Sequence, residues 1–168
     1  TKGSSSSKYQ VAAVVRGVEQ EKCAEVTRWN NGYLDIPMQP VINRNGQVVT
    51  SNYTLNDVSL ADVDGDGISE FIVKRNSNTA REYSTNKYDF HRLECYTITG
   101  KRLWYIDLGP NMISGPDEQY DIIGYDWDCD GKAEMLLRGA DNMIIHKADG
   151  TTVEIGNMNF DSRNTLQS

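Results

Sequence analysis

The sequence lacks the features that would direct it to nucleic acid or into a membrane. Its 168 residues carry 17 Lys and Arg against 24 Asp and Glu, a formal net charge of −7, and no basic patch stands out. No apolar run approaches the roughly 20 residues that a membrane-spanning helix needs. We therefore expect neither a nucleic-acid partner nor a membrane partner.

Other absences concern cross-links, helices and a leader segment. The three cysteines cannot all pair and none lies in a Cys-x-x-Cys arrangement, so they say little about the fold or the function. No stretch has the apolar spacing of a helix of useful length. The residues from Thr1 onward do not have the charged and apolar pattern of a signal peptide, and they lead directly into a predicted strand. We therefore expect an all-β segment of a longer protein.

What the sequence does contain is a pair of acidic loops. The nine residues from Asp62 to Glu70 place aspartates at positions 1, 3 and 5, a glycine turn, and a glutamate at position 9. The nine residues from Asp126 to Glu134 repeat this pattern 64 positions later (126 − 62). The two loops hold eight acidic residues, which leaves 16 (24 − 8) against the 17 basic ones. The acidic excess of the chain therefore lies in these loops.

Four carboxylates within nine residues repel one another unless a cation holds them together, and oxygen ligands of this kind indicate calcium. The predicted ligands are the three aspartates, the carbonyl at position 7 and the glutamate. They are Asp62, Asp64, Asp66, Ile68 and Glu70 in the first loop, and Asp126, Asp128, Asp130, Lys132 and Glu134 in the second. The alternative is an acidic Asp-Gly turn that holds no metal.

The spacing excludes an EF-hand. That motif needs a glutamate at position 12 and a helix on each side, whereas position 12 is Val73 in one loop and Leu137 in the other. Both loops instead run into short apolar segments that predict strands of a buried sheet. Calcium would then tie a loop to the start of a strand.

The order of elements predicts two parts. Residues 8–29 have the pattern of a β-hairpin, and the two prolines of residues 36–40 predict an extended linker. After the linker, four short strands recur in each period of 64 residues, which is typical of a β-propeller blade. The predicted strands lie at 71–74, 93–98, 103–108 and 120–125, and then at 135–137, 143–146 and 152–155. Residues 1–40 and 41–168 are therefore the predicted domains. Two periods are too few to close a propeller ring, so the predicted propeller is incomplete.

Several motifs follow one another in a fixed order along the chain. They are Asn56-Asp57-x-Ser59, the first acidic loop, Lys101-x-Leu-Trp-x-Ile-Asp-Leu-Gly109, Tyr125 with the second acidic loop, and Ile155-Gly-Asn-x-Asn159. This ordered set resembles the opening propeller blades of bacterial family 11 rhamnogalacturonan lyases. The resemblance covers nearly the whole chain, from about Tyr9 to Asn164, and the N-terminal hairpin is similar to the last strands of the fibronectin-type module that precedes the propeller in that family.

The resemblance implies part of an eight-bladed calcium-binding propeller that cleaves the rhamnose-galacturonate backbone of pectin by β-elimination. In that reaction a cation on the uronate carboxylate stabilises developing charge, a base removes the C5 proton, and the C4 oxygen departs. The base is expected in later blades, so this fragment alone is expected to be inactive. The expected partners are rhamnogalacturonan and the remaining blades, and the expected location is secreted, periplasmic or on the bacterial cell surface. The alternative is a non-catalytic calcium-stabilised propeller that binds carbohydrate or protein, as integrin-like repeats do.

Two positions match substrate-facing residues of the family. Asn56 matches an asparagine that faces the sugar, and Asn76 stands where relatives carry an aspartate. Either residue could instead be a turn residue that satisfies its own backbone. Lys74 and Arg75 could meet uronate charge or be solvated strand-end bases, and His91 and His146 are predicted to be solvated or to lie on an edge strand. Trp104 is predicted to be a core residue, and Trp127 to be an exposed residue that could stack on a sugar.

Overall fold

The computed structural model describes residues 4, 6–28, 31–80, 85–112 and 122–164. The chain forms two compact units, Thr1–Ile36 and Pro37–Ser168. Both units are built from antiparallel strands, and the described helical residues are two short 3₁₀ turns at Thr50–Asn52 and Ser162–Asn164. No helix in the described ranges is long and apolar enough to cross a membrane.

The first unit is a hairpin of paired strands. Strands β2 (Ala12–Val15) and β3 (Val18–Lys22) pair with each other, and β1 (Lys8–Tyr9) pairs with β4 (Val26–Thr27). Arg16 and Gly17 form the turn with φ of 52° and 80°, the left-handed backbone that a tight two-residue hairpin turn requires. The predicted hairpin is confirmed, and its assignment to a fibronectin-type module stays a prediction. Trp29, at the end of the predicted hairpin, lies outside the described residues.

The second unit contains a six-stranded antiparallel sheet and a separate hairpin. The sheet has the order β12-β11-β8-β7-β6-β5, and the hairpin pairs β9 with β10. The strands are β5 (Tyr53–Ala61), β6 (Glu70–Ser77), β7 (Arg92–Tyr96), β8 (Arg102–Asp107), β9 (Ile123–Tyr125), β10 (Glu134–Leu136), β11 (Met143–Lys147) and β12 (Thr152–Ile155).

The predicted division of the strands into two periods is wrong. Strand β9, of the first period, pairs with β10, of the second, and β11 pairs with β8, from Ile144 opposite Asp107 to Lys147 opposite Trp104. The unit formed by β5 to β8 is thereby extended by β11 and β12. Local spacing in the sequence predicts strands but does not reveal which distant edge each strand will pair with.

The apolar core lies between the sheet and the β9-β10 hairpin. Leu93, Ile106 and Cys95 point from the middle strands to this side, and Ile122 and Met135 of the hairpin region pack against them. Gly124 allows the close approach, since a Cβ there would lie 2.7 Å from the Cβ of Ala61. Trp104 packs against the same core, as predicted.

The opposite face of the sheet is polar and is covered by an extended segment, residues 39–44. The carbonyl of Gln39 accepts a hydrogen bond of 2.9 Å from Arg75, and Arg44 forms two hydrogen bonds with the Asp107 carboxylate, of 3.1 and 2.9 Å. Glu94 accepts from both Arg75 and Tyr96 at 3.0 and 2.5 Å. Burial raises the pKa of Tyr96 to about 12, and its hydrogen bond to Glu94 adds to the shift.

The structure corrects three predictions of solvated side chains. Lys74 and Arg75 are buried rather than solvated at a strand end. His91 is completely buried, and its Nδ1 accepts a hydrogen bond of 3.0 Å from the backbone N–H of Ser77. His146 is half-buried on the inner strand β11, where it stacks on Tyr105 with 4.0 Å between ring centroids. In each case the covering residues are distant in sequence, so local polarity indicated solvent.

Candidate functional site

The first acidic loop is organised by its own carboxylates. The Asp62 carboxylate accepts hydrogen bonds from the backbone N–H groups of Gly65 and Gly67, both at 2.8 Å. Asp66 accepts from the N–H of Ile68 at 2.8 Å, and Glu70 accepts from the N–H of Val63 at 2.9 Å. The chain therefore wraps around the acidic side chains and holds them on the inside of the turn.

The second loop repeats most of these hydrogen bonds at the equivalent positions. Asp126 accepts from the N–H of Gly131 at 3.0 Å, and Glu134 accepts from the N–H of Trp127 at 3.0 Å. The second hydrogen bond to Asp126 comes from the N–H of Asp130, one position later than in the first loop. Cys129 stands at the position of Gly65 and has a φ of 61° against 81° for the glycine. The second loop thus keeps a left-handed backbone at this position, although the side chain of Cys129 makes that conformation less favourable than it is for glycine.

The two loops contact each other directly. The backbone N–H of Ala133 donates a hydrogen bond of 2.7 Å to the carbonyl of Asp62. A Cβ on Gly65 would lie 3.1 Å from the side chain of Lys132 and 3.2 Å from the carbonyl of Gly131. The second loop therefore packs against the turn of the first.

The arrangement of oxygen atoms fits a calcium ion in each loop. Carboxylate oxygens of Asp62, Asp64 and Asp66 lie within 4.8 Å of one another, and so do those of Asp126, Asp128 and Glu134. Ligands on opposite sides of a calcium ion, each at about 2.3–2.6 Å, are separated by about twice that distance. Each triplet is therefore compact enough to hold one calcium ion.

The remaining predicted ligands are not in these triplets. Glu70 is buried and bonded to the loop backbone, and Asp130 accepts a hydrogen bond of 2.9 Å from the N–H of Lys132. Burial raises the pKa of Glu70, and the carboxylates of Asp64, Asp66 and Asp62 act in the same direction, while the Val63 N–H opposes them. The roles of Glu70 and Asp130, and of the carbonyls of Ile68 and Lys132, stay predictions.

A β-bulge in β5 carries the predicted substrate residue Asn56. Leu55 pairs with Arg75 and Val58 with Val73, so Asn56 and Asp57 together oppose the single residue Lys74. Bulges of this kind are common beside active sites because they redirect a side chain out of the regular alternation. Asn56 is half-buried at this point.

An ion pair spans the bulge. The ammonium of Lys74, which is 2% exposed, donates to the Asp57 carboxylate at 3.0 Å, while the Asp57 side chain is 65% exposed. Both residues line an open cavity of about 470 Å³, together with Ile122 and Ile123. No role was predicted for Asp57 itself, although the lysine within the apolar strand β6 was a signal, because a buried ammonium needs a charged or polar partner.

Asn76 is placed differently from Asn56. It lies on β6 opposite Thr54, two residues beyond Lys74, and it is 6% exposed. The structure thus brings both asparagines to the same end of the β5-β6 pair, with Asn76 on the buried side. Trp127, the predicted exposed aromatic residue, is 54% exposed and meets Tyr125 edge-on at 5.1 Å.

Comparison with known proteins identifies the relatives of this chain. Residues 33–167 match the family model described as rhamnogalacturonan lyase family 11, C-terminal domain. These residues therefore correspond to the C-terminal domain of the family and not to an N-terminal module of it.

Two curated relatives come from Bacillus subtilis (strain 168). The chain is 37% identical over 164 residues to the rhamnogalacturonan endolyase YesW, and 33% identical over 166 residues to the rhamnogalacturonan exolyase YesX. Each match covers 96% of this chain and 26% of the relative. The chain thus spans about a quarter of the length of these relatives.

Solved structures agree with the sequence matches. The rhamnogalacturonan lyase PL11 of Bacillus licheniformis has a TM-score of 0.70 at 32% identity, over 95% of this chain and 27% of that one. The YesW crystal structure has a TM-score of 0.71 at 34% identity, over the same shares of the two chains. By its sequence and its fold, this chain belongs to rhamnogalacturonan lyase family 11.

Proposed function

We propose that this chain is part of a rhamnogalacturonan lyase that cleaves the rhamnose-galacturonate backbone of pectin by β-elimination. The observation that carries the proposal is the family match over residues 33–167. Relatives that act in the endo mode and in the exo mode match it about equally well, so the match does not favour either mode.

The chain's own residues would contribute binding and positioning. The side-chain amide of Asn56, on the bulge, can donate to a sugar hydroxyl. Asn76 is buried near the end of β6 and can hold that end of the strand in place beside the bulge. The Lys74-Asp57 ion pair keeps the bulge in one conformation, so that Asn56 meets the sugar without reorganising. The base that removes the C5 proton is proposed to lie on another part of the protein. The C4–O bond then breaks and leaves an unsaturated uronate, with no water consumed.

We further propose that calcium occupies both acidic loops. The compact carboxylate triplets and their matching backbone hydrogen bonds support this assignment. Asp62, Asp64 and Asp66 would hold one ion, and Asp126, Asp128 and Glu134 the other. Bound calcium would supply the positive charge that offsets these carboxylates and keeps the two contacting loops in place.

The architecture proposed for the whole protein is a β-propeller. The antiparallel order of β5 to β8, and the stacking of the β9-β10 hairpin on this sheet, support it. Further blades would be the structural partners of this chain. A secreted, periplasmic or cell-surface location is proposed, because both a plant polymer and free calcium at millimolar levels are found outside the cytoplasm.

The test is elimination activity on rhamnogalacturonan, followed by the ultraviolet absorbance of the unsaturated product. We would assay this chain and a longer protein containing it, each with calcium and with chelator. We expect calcium-dependent activity in the longer protein and none in this chain alone. Inactivity of both, with calcium-dependent stability retained, would contradict the lyase proposal and favour a non-catalytic propeller that binds carbohydrate or protein.

A further inference from the structure

A second cavity lies on the polar face of the sheet, away from both the bulge and the acidic loops. It has a volume of about 460 Å³ and is bordered by residues 42–46 of the covering segment and by strands β7, β8 and β11. The side chains that define its chemistry are Arg44, Arg92, Tyr105, Asp107 and His146.

Arg92 places a buried positive charge beside this cavity. Arg92 is 2% exposed, and its Nη2 donates to the carbonyl of Ile42, which is a neutral acceptor. Its guanidinium lies 4.9 Å from the ring centroid of Tyr105 and 5.9 Å from that of Tyr53. Among the residues that the structure describes, no carboxylate lies within ion-pair distance of Arg92, and its Nε has no hydrogen-bond partner. A buried charge in this condition costs free energy, and a bound anion would offset that cost.

The cavity has an excess of positive charge. Asp107 is the carboxylate among its described lining residues, and it is already occupied by two hydrogen bonds from Arg44. Two guanidinium groups therefore face one carboxylate. Burial is the main cause that lowers the pKa of His146; Asp107 raises it, and the charges of Arg92, Arg102 and Arg44 lower it.

The geometry points to a binding site for a carboxylate anion in this cavity, with Arg92 as its counter-charge. Arginine is suited to this role because its planar donors match the two oxygens of a carboxylate. The cavity of about 460 Å³ leaves room for a sugar ring on the carboxylate, and the polar side chains of Arg44 and His146 in its lining suit hydroxyl groups. A carboxylate attached to a sugar ring, that is a uronate, is therefore the ligand class it fits. The inference concerns binding alone and does not depend on the lyase proposal.

The experiment is an NMR titration of the ¹⁵N-labelled 168-residue chain at constant chloride concentration. The ligands are galacturonate, acetate and galactose, and the reporter is the Nε–H signal of Arg92, assigned by its loss in Arg92→Met. We expect galacturonate to shift this signal with a roughly millimolar dissociation constant, and galactose to leave it unchanged. A shift with acetate as well would show that the carboxylate alone is recognised. No shift with either acid, or an equal shift with galactose, would overturn the proposal.

Two pairs of variants localise the effect. Arg92→Met should weaken galacturonate binding by at least about ten-fold, whereas Arg102→Met, which removes a guanidinium 4.5 Å from the ring centroid of Tyr105 but outside the cavity lining, should not. Because replacing a buried residue such as Arg92 can prevent folding, the second pair changes Ile42, which lines the cavity and is 50% exposed. Ile42→Glu should weaken binding by repulsion and Ile42→Gln should not. Equal binding by these two folded proteins would also overturn the proposal.

Discussion

His146 is a titratable side chain on the polar face whose surroundings favour the neutral form. It is half-buried against Tyr105, and burial, followed by the nearby arginines, lowers its pKa from the ordinary value of 6.5. Folding therefore favours the neutral imidazole. Because the unfolded chain binds a proton more readily, the free energy of unfolding should fall as pH drops below about 6.5, and level off below the pKa of the folded state.

The variant His146→Gln should remove this part of the pH dependence. We would measure urea unfolding from about pH 8 to about pH 5 in both proteins, which share the second histidine, His91. The variant should lose less stability than the unchanged protein over the acidic part of this range. Parallel curves would show that His146 does not titrate differently on folding.

Asn56 gives the prediction that separates binding from stability. Replacing it with Ala should raise KM for rhamnogalacturonan in the longer protein, with a change in melting temperature of no more than a few degrees, because the residue is only half-buried. Thr54→Ala, an exposed position on the same strand, is the matched control and should leave KM unchanged. A loss of stability that parallels the loss of binding would make Asn56 a structural residue.

At the scale of elements, the acidic loops should make stability depend on calcium. Asp64→Ala removes one carboxylate of the first triplet, so the increase in melting temperature on adding calcium should be smaller. An ion present at 100 times its dissociation constant stabilises the folded state by about 2.7 kcal/mol. Asp149→Ala, in an exposed Asp-Gly turn outside the loops, should keep the full increase. If both variants respond to calcium like the unchanged protein, the first loop is not a calcium site.

The ion pair at the bulge predicts that removing the charge of Asp57 and removing the charge of Lys74 will lower the free energy of unfolding by different amounts. Asp57→Asn takes the carboxylate away from the buried Lys74 and should cost about 1.5–3 kcal/mol of unfolding free energy. Lys74→Met should cost less, because a buried charge is replaced by an apolar side chain of similar length and Asp57 is left in solvent. Chemical denaturation of the two variants decides the order. A larger loss in Lys74→Met would show that the ammonium holds more of the structure than its pair with Asp57.

The sequence predicts what is local in these elements and misses what is distant. The loop pattern, the strands around it and the core position of Trp104 follow from spacing within a few residues. The burial of Lys74 and His91 does not, because the segments that cover them are brought there by the fold. The bulge likewise cannot be predicted from the sequence of β5 alone, because a bulge is defined by the register between a strand and its partner.

At the scale of the whole molecule, the core of the second unit depends on a close contact between two layers. Gly124→Ala would place a Cβ 2.7 Å from the Cβ of Ala61 and 3.3 Å from the Cδ1 of Ile72, so the hairpin must move away from the sheet. We expect a loss of about 1–3 kcal/mol by urea unfolding. Gly139→Ala, where a Cβ has no neighbour within 4 Å, is the control and should be nearly neutral. Similar losses in the two variants would mean that backbone freedom, not packing, decides the effect.

The pairing of β8 with β11 also bears on the order in which the chain folds. Strands β5 to β8 follow one another along the chain and pair in that order, whereas β11 reaches β8 only after the whole β9-β10 hairpin has been passed. Closing that longer loop costs more chain entropy than the connections between neighbouring strands do. Synthesis also proceeds from the N-terminus, so the four-stranded β5-β8 sheet can form on the ribosome before β11 has emerged. Until then, β8 is an edge strand whose free backbone groups can pair with another molecule.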